Sequence, residues 1–267
     1  MEVSNLTKDY LNKLFSSGKR FDGRKLEDYR DVEVSVDVSN KAEGSARVKL
    51  GKTEVVVGVK LGIGEPYPDS PDKGNLMCTG ELLLLASPRF EAGPPGFQAI
   101  ELGRLLDRAI RESGMIDLSK LVITPGEKVW TIYLDIYPIN DDGNLLDAAN
   151  IGAIVALKNA KMPSLDKDGK IDYENRKGGL PLSKEIAPLS VSFYKLGETI
   201  IVDPTREEEE ACETRVTFGI SKWNKHYMVN ACQKAGQNSF TEEEMNKILD
   251  LLPKEFEELN KRLKNHL

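Results

Sequence analysis

Three arginines with helical spacing are the residues in this sequence best placed to do chemistry. Arg104, Arg108 and Arg111 stand at i, i+4 and i+7 within a segment, 98–113, whose apolar residues Leu102, Leu105, Leu106, Ala109 and Ile110 mark one helix face. At about 100° per residue the three guanidinium groups fall within about 60° of one another, opposite that face. A row of planar, permanently charged donor forks suits phosphodiester oxygens. The same helix carries Glu101, Asp107 and Glu112 beside the stripe, and Asp107 with Arg111 or Arg108 with Glu112 would make ordinary surface ion pairs.

The turn Asp142-Gly143-Asn144 opens a second helix, 145–158. A helix start after a glycine turn attracts anions through its free N–H groups and dipole. Here Leu145 and Leu146 are apolar and Asp147 places a carboxylate in the first turn, so this helix is expected to satisfy its own end and repel phosphate. The acidic run 207–210 rotates its carboxylates apart and has Arg206 and Arg215 as counter-charges, so a solvated acidic loop is expected rather than a metal site. Cys78, Cys212 and Cys232 are scattered without a C-x-x-C pair, and His226 and His266 complete no zinc ligand set. There is no phosphate-binding G-x-x-x-x-G-K-[ST] loop and no G-x-S-x-G elbow. His226 has no nucleophile pattern near it, and Trp130 and Trp223 are expected in the core.

The elements that must position these groups alternate between sheet and helix. A helix is expected over 5–17, with Leu6, Tyr10, Leu11, Leu14 and Phe15 on one face and Thr7 or Asn5 as its cap, followed by a basic turn over 19–24. Strict alternation predicts a strand over 32–38, and strands 46–50 and 55–63 flank the turn Gly51-Lys52-Thr53 as a hairpin. A strand over 81–86, the helix 98–113 after Gly93-Pro94-Pro95-Gly96, a β-rich stretch over 128–137 and the helix 145–158 follow. Residues 163–181 read as a loop or small hairpin. The last third repeats the style with strands over 189–196, 199–203, 215–220 and 225–230. A C-terminal helix starts at the capping box formed by Thr241 and Glu244 and is expected to break or kink at Pro253. This order predicts an α+β architecture of two similar halves.

Composition bounds the function. The chain has 267 residues, with Lys+Arg 37 against Asp+Glu 43 and a net charge of -6. A protein that grips nucleic acid over its whole surface is usually basic, so any such contact must be a local patch or shared with a partner. The polar N-terminal stretch and an apolar run no longer than 82–86 point to a cytoplasmic protein that does not enter a membrane.

Several ordered motifs resemble the RNase PH family of phosphorolytic ribonucleases. They are Arg20-x-Asp22-Gly23-Arg24 with Arg30, Gly44-Ser45-Ala46-x-Val48-x-Leu50-Gly51-x-Thr53, and the strand from Val55 to Val59. Glu91-x-Gly93-Pro94-Pro95, Ala99-Ile100-Glu101-Leu102-x-Arg104, Asp107-Arg108, Val129-Trp130 and Val202-Asp203-Pro204-Thr205-x-Glu207-Glu208-Glu209 narrow the likeness to the non-catalytic RNase PH-like subunit of the archaeal exosome ring. The resemblance implies an RNase PH-like fold: an N-terminal helix and basic turn (1–30), then two β-α halves of ribosomal-protein-S5-like type (31–165 and 185–267), the second with the C-terminal helix.

Active members use inorganic phosphate to release nucleoside diphosphates from RNA 3′ ends. Their Gly-Gly-x-Arg-Ser-type phosphate turn corresponds to Gly143-Asn144-Leu145-Leu146-Asp147, which leaves a degenerate phosphate site at Leu145, Leu146 and Asp147. Their acidic pair falls on Glu209 and Arg215, a degenerate acid site. The resemblance therefore implies no catalytic residue, metal or cofactor in this chain, with inorganic phosphate, with or without Mg²⁺, used by a catalytic partner. It implies a non-catalytic subunit of a 3′-to-5′ RNA-degrading complex, pairing with a catalytic RNase PH-like sibling as three heterodimers in a ring under S1- or KH-type caps. Arg104, Arg108 and Arg111 would hold the backbone of single-stranded RNA. The alternatives are a phosphate-dependent exoribonuclease active by itself and a purely structural ring subunit.

Overall fold

The computed structural model describes residues 3–267. Alternating valines build the first sheet. β1 (Val32–Val36), β2 (Gly44–Leu50), β3 (Thr53–Gly64) and β6 (Lys128–Asn140) pair antiparallel in that order, and β4 (Asn75–Gly80) adds parallel to β6. The short β5 (Val122–Thr124) also pairs with β6. In β3 the odd-numbered side, Val55, Val57, Val59 and Leu61, is buried, as the period-2 pattern requires. A hairpin of β7 (Lys161–Leu165) and β8 (Ile171–Gly179) leads to the second sheet. That sheet is fully antiparallel: β10 (Thr199–Val202), β9 (Leu189–Leu196), β11 (Thr214–Trp223), β12 (His226–Gly236).

Two helices fill the layer between the sheets. α2 (Phe97–Ser113) packs on β4 and on β11 and β12, and α3 (Leu145–Asn159) packs on β2 and β3 and on β9. α3 is apolar nearly all round and is buried from Leu146 to Leu157, as a helix covered on both faces must be. α2 approaches β4 closely because Gly103 has no side chain: a Cβ there would lie 2.7 Å from the carbonyl oxygen of Cys78. α5 (Glu242–Arg262) covers β9, and α1 (Asn5–Ser16) packs with β10 and α4 (Arg206–Ala211) over a smaller core around Leu11, Phe15 and Tyr194.

The structure departs from the sequence expectations at several points. The strand expected over 81–86 lies one element earlier, at Asn75–Gly80, where the backbone pairs with Thr131–Ile136 of β6; Leu84 and Leu85 are exposed turn residues. The cap of α1 is Ser4, whose side chain accepts from the Thr7 N–H, not Thr7 or Asn5. α5 runs unbroken through Pro253: its face Ile248, Leu251, Leu252, Phe256 and Leu259 is buried, and the carbonyl that Pro253 cannot serve belongs to exposed Leu249. β11 and β12 extend to a two-residue turn, Asn224-Lys225, with φ of 47° and 71°, the left-handed pair that such hairpins demand. That places Trp223 at an exposed hairpin end, while Trp130 is buried. The acidic run is the helix α4, not a loop. It is started by a Thr205–Glu208 capping box, and Glu208 is fully buried.

Candidate functional site

The arginine stripe divides in two. Arg104 and Arg108 are exposed on α2 and, among the described residues, take part in no ion pair. Four helical residues set them about 6 Å apart along the axis. Together with Ile100, Glu101 and the exposed Phe97, they line a groove of about 240 Å³ whose far wall is β12 at Ala231–Gln233. Arg111 is committed elsewhere. It forms the expected pair with Asp107, at 2.7 Å, and also donates to the Leu76 carbonyl of β4 at 2.9 Å. The alternative pair of Arg108 with Glu112 does not form.

At the start of α3 the backbone turns through two positive-φ residues, Gly143 at 86° and Asn144 at 54°. Gly143 is required there twice over, since a Cβ would also sit 2.6 Å from the Pro204 carbonyl oxygen. The left-handed Asn144 swings the first turn so that Asp147 points into the core. Asp147 is fully buried and accepts from the Ser192 Oγ at 2.8 Å, the Ser192 N–H at 3.1 Å and the Asn144 Nδ2 at 3.0 Å. It does not cap the helix, contrary to the sequence expectation. Burial without a cation pushes its carboxyl up to about 7, against the lowering effect of the Ser192 and Asn144 hydrogen bonds.

The carboxylate that does meet this turn comes from the other half. Glu209 Oε2 accepts the Asn144 N–H at 2.8 Å, and burial raises its carboxyl, opposed by Arg89 and by that hydrogen bond. Leu145, Leu146, Glu209 and Arg215 therefore share one small cavity of about 70 Å³, with Arg89, Glu101, Asp141 and Tyr194 also in its wall. Four of its charged groups form ion pairs: Arg89 donates to Asp141 at 2.5 Å and Arg215 donates to Glu101 at 2.6 Å, while the buried Nε atoms of both arginines have no partner and Glu209 is bonded to the Asn144 N–H. An incoming phosphate would find a carboxylate on the turn's N–H and a leucine, Leu146, among its wall residues.

Sequence reasoning assigned no role to the basic turn and Arg30, and the structure gives them one. Arg30 grips Asp203 with its backbone N–H at 2.7 Å, Nε at 2.9 Å and a terminal nitrogen at 2.7 Å, and donates to the Gly143 carbonyl at 3.0 Å. Arg24 reaches Asp203 at 3.1 Å. Arg20 binds Glu208 with both sides of its fork and donates to the Val202 and Asp203 carbonyls at 2.8 Å each. These arginines clasp the two halves together and are not available to a ligand. The sequence signal was the capping-box spacing of Thr205 and Glu208, which marks a helix that holds Glu208 in place.

Residues 28–163 match the 3′ exoribonuclease family, domain 1, and residues 187–251 match domain 2 of the same family. The chain is 46% identical to an exosome complex component Rrp42 of Thermococcus onnurineus over 94% of this chain and 92% of that protein. It is 43% identical to the Rrp42 component of Pyrococcus furiosus over 99% and 95%. Its structure is similar to a chain of an Archaeoglobus fulgidus exosome with RNA bound to the active site, with a TM-score of 0.84 at 45% identity over 92% of this chain and 93% of that one. A chain of an archaeal exosome core gives a TM-score of 0.84 at 41% identity, over 97% and 96%. The rice Rrp46 structure, at 18% identity and a TM-score of 0.66, shares the fold. With both family domains matched in order and relatives alike over nearly their whole length, this chain belongs to the RNase PH family of 3′ exoribonucleases.

Proposed function

We propose that the chain is a non-catalytic, RNA-contacting subunit of an exosome-type ring. It pairs with a catalytic RNase PH-like sibling, three such heterodimers close the ring, and S1- or KH-type subunits cap it. The sibling binds inorganic phosphate and carries out the 3′-to-5′ phosphorolysis. This chain shapes the joint site and holds the backbone of single-stranded RNA through Arg104 and Arg108. The exposed Phe97 beside them offers a face on which a base can stack without regard to sequence. Arg111, tied to Asp107 and the Leu76 carbonyl, is a minor contributor.

The observation that carries this reading is the occupied helix start. The Asn144 N–H is spent on Glu209, and the position that an arginine would fill is Leu146, while two arginines on α2 have no internal partner. The test is phosphate-dependent trimming of poly(A). The purified chain alone should release no nucleoside diphosphate, and adding the catalytic sibling should restore release. Phosphorolysis by the single chain would overturn the non-catalytic assignment.

A further inference from the structure

The groove beside Arg104 and Arg108 has one acidic residue among those that line it, Glu101. On α2 it lies one turn before Arg104 and two before Arg108, near the same face. An unopposed carboxylate there would cancel half of the charge that the two arginines present to a polyanion. It is not unopposed. Arg215, on β11, donates to the Glu101 Oε1 at 2.6 Å, with the two side chains only 13% and 9% exposed. Glu101 forms part of the wall of both cavities, the groove beside the arginines and the small cavity at the start of α3, whereas Arg215 lines only the latter. The cation thus approaches from behind, leaving the groove side of the helix clear.

We propose that Arg215 is a positioning residue for RNA contact: it neutralises Glu101, so that this carboxylate does not subtract from the charge that Arg104 and Arg108 present to the strand. This rests on the reading of Arg104 and Arg108 as RNA contacts. It gives a function to the residue that stands where active relatives are expected to carry an acid. A merely structural tie would be broken equally by removing either partner. Charge masking predicts instead that removing Arg215 is harmful only while the Glu101 carboxylate remains.

The test uses the ring reconstituted with its catalytic sibling and fluorescence anisotropy of a labelled oligo(A) at 50 and 200 mM salt. Arg215→Gln should weaken binding roughly three- to tenfold at the lower salt, with a smaller effect at the higher, because salt screens the repulsion between the freed carboxylate and the strand's phosphates. Arg215→Lys, which keeps the charge, should bind like the unaltered ring. Adding Glu101→Gln to Arg215→Gln should return affinity to within about twofold of the unaltered ring. A double variant as weak as the single one, or a loss independent of salt, overturns the proposal. If Arg215→Gln does not assemble, Glu101→Gln alone decides: with the carboxylate already masked it should leave RNA affinity within about twofold, and either a marked tightening, the sign of an unmasked acid, or a weakening, the sign of a structural tie, overturns the proposal. Arg104→Ala with Arg108→Ala separates the two levels. If that pair leaves affinity unchanged, the RNA reading fails and takes this inference with it. If it weakens binding while Arg215→Gln does not, only the masking role fails.

Discussion

Replacing Asp147 with asparagine should stabilise the protein in neutral solution and do so progressively as pH rises. In the folded chain the Asp147 carboxyl sits at about 7, against 3.8 for an ordinary aspartate. Below about pH 4 it is protonated both folded and unfolded and has no linked effect. Between 4 and 7 the unfolded chain has lost a proton that the folded chain keeps, so stability falls with rising pH, by about 1.4 kcal/mol per unit. Above 7 the full penalty, at most about 4 kcal/mol for roughly three units, is present. Glu255, on α5, is also raised to about 7, by burial and by Glu27, Glu258 and Asp28, so the unaltered chain has two groups acting in the same direction and window.

The difference between Asp147→Asn and the unaltered chain isolates one of them. Asparagine keeps an acceptor for Ser192 but turns an NH₂ toward one of the present donors, a cost of about 1–3 kcal/mol that does not depend on pH. Urea unfolding of the purified chain, followed by far-UV circular dichroism at pH 4, 6 and 8, should therefore show the variant weaker at pH 4. It should be equal or stronger at pH 8, with the difference shifting by several kcal/mol toward the variant. A difference that is flat across that range, or one that moves toward the unaltered chain as pH rises, would refute the assignment of a buried, unpaired acid at this position.

Other expectations follow from the same contacts. Arg20→Ala leaves the buried Glu208 carboxylate without its partner and should cost about 3–5 kcal/mol, read as a fall in thermal midpoint or in soluble yield. Gly143→Ala puts a Cβ against the Pro204 carbonyl at a φ of 86° and should destabilise by more than about 1 kcal/mol in the same assay; a neutral result would show that the turn relaxes freely. Arg111→Ala should change RNA affinity less than Arg108→Ala while lowering stability more, since it loses the Asp107 and Leu76 bonds. Titration of inorganic phosphate into the chain by calorimetry should give no heat of binding at the start of α3, because the Asn144 N–H is already bonded to Glu209.

What was legible in the sequence was periodic, and what was missed was long-range. The α2 stripe and its opposite apolar face follow from a 3.6-residue period, and the structure keeps both. That Arg111 would leave the stripe could not be read, because its second acceptor is a carbonyl on β4, 35 residues away. The strand Asn75–Gly80 was hidden because Asn75, Cys78 and Thr79 lack an apolar alternation, whereas the leucine run after it imitates a strand without pairing as one. Asp147 looked like a cap because a carboxylate in a first turn usually is one. Its partner Ser192 lies 45 residues on, and the left-handed Asn144 that redirects it is a backbone choice that the sequence suggests only through Gly-Asn. The helix α4 is readable: Thr205 and Glu208 have the same spacing as Thr241 and Glu244, and both pairs form capping boxes.

A net charge of -6 does not oppose RNA contact, because charge acts locally. At physiological salt, exposed charges farther apart than about 8 Å are largely screened from one another. Acidic residues on other faces therefore subtract little from Arg104 and Arg108. What can subtract is a carboxylate within that distance, and α2 has three candidates: Asp107, held by Arg111, Glu101, held by Arg215, and the exposed Glu112, which among the described residues is in no ion pair. Asp107 and Glu101 are each matched by a cation, and neither cation lines the groove; Glu112 alone stays unmatched, at the Arg108 end. Meanwhile Arg20, Arg24, Arg30 and Arg89 are consumed by Glu208, Asp203 and Asp141 inside the fold. The chain thus keeps an acidic total while two of the three acids beside its short cationic ridge are neutralised by other cations. On the proposed reading the catalytic sibling supplies the rest of the RNA site, so affinity for RNA is expected to be higher in the assembled ring than in this chain alone.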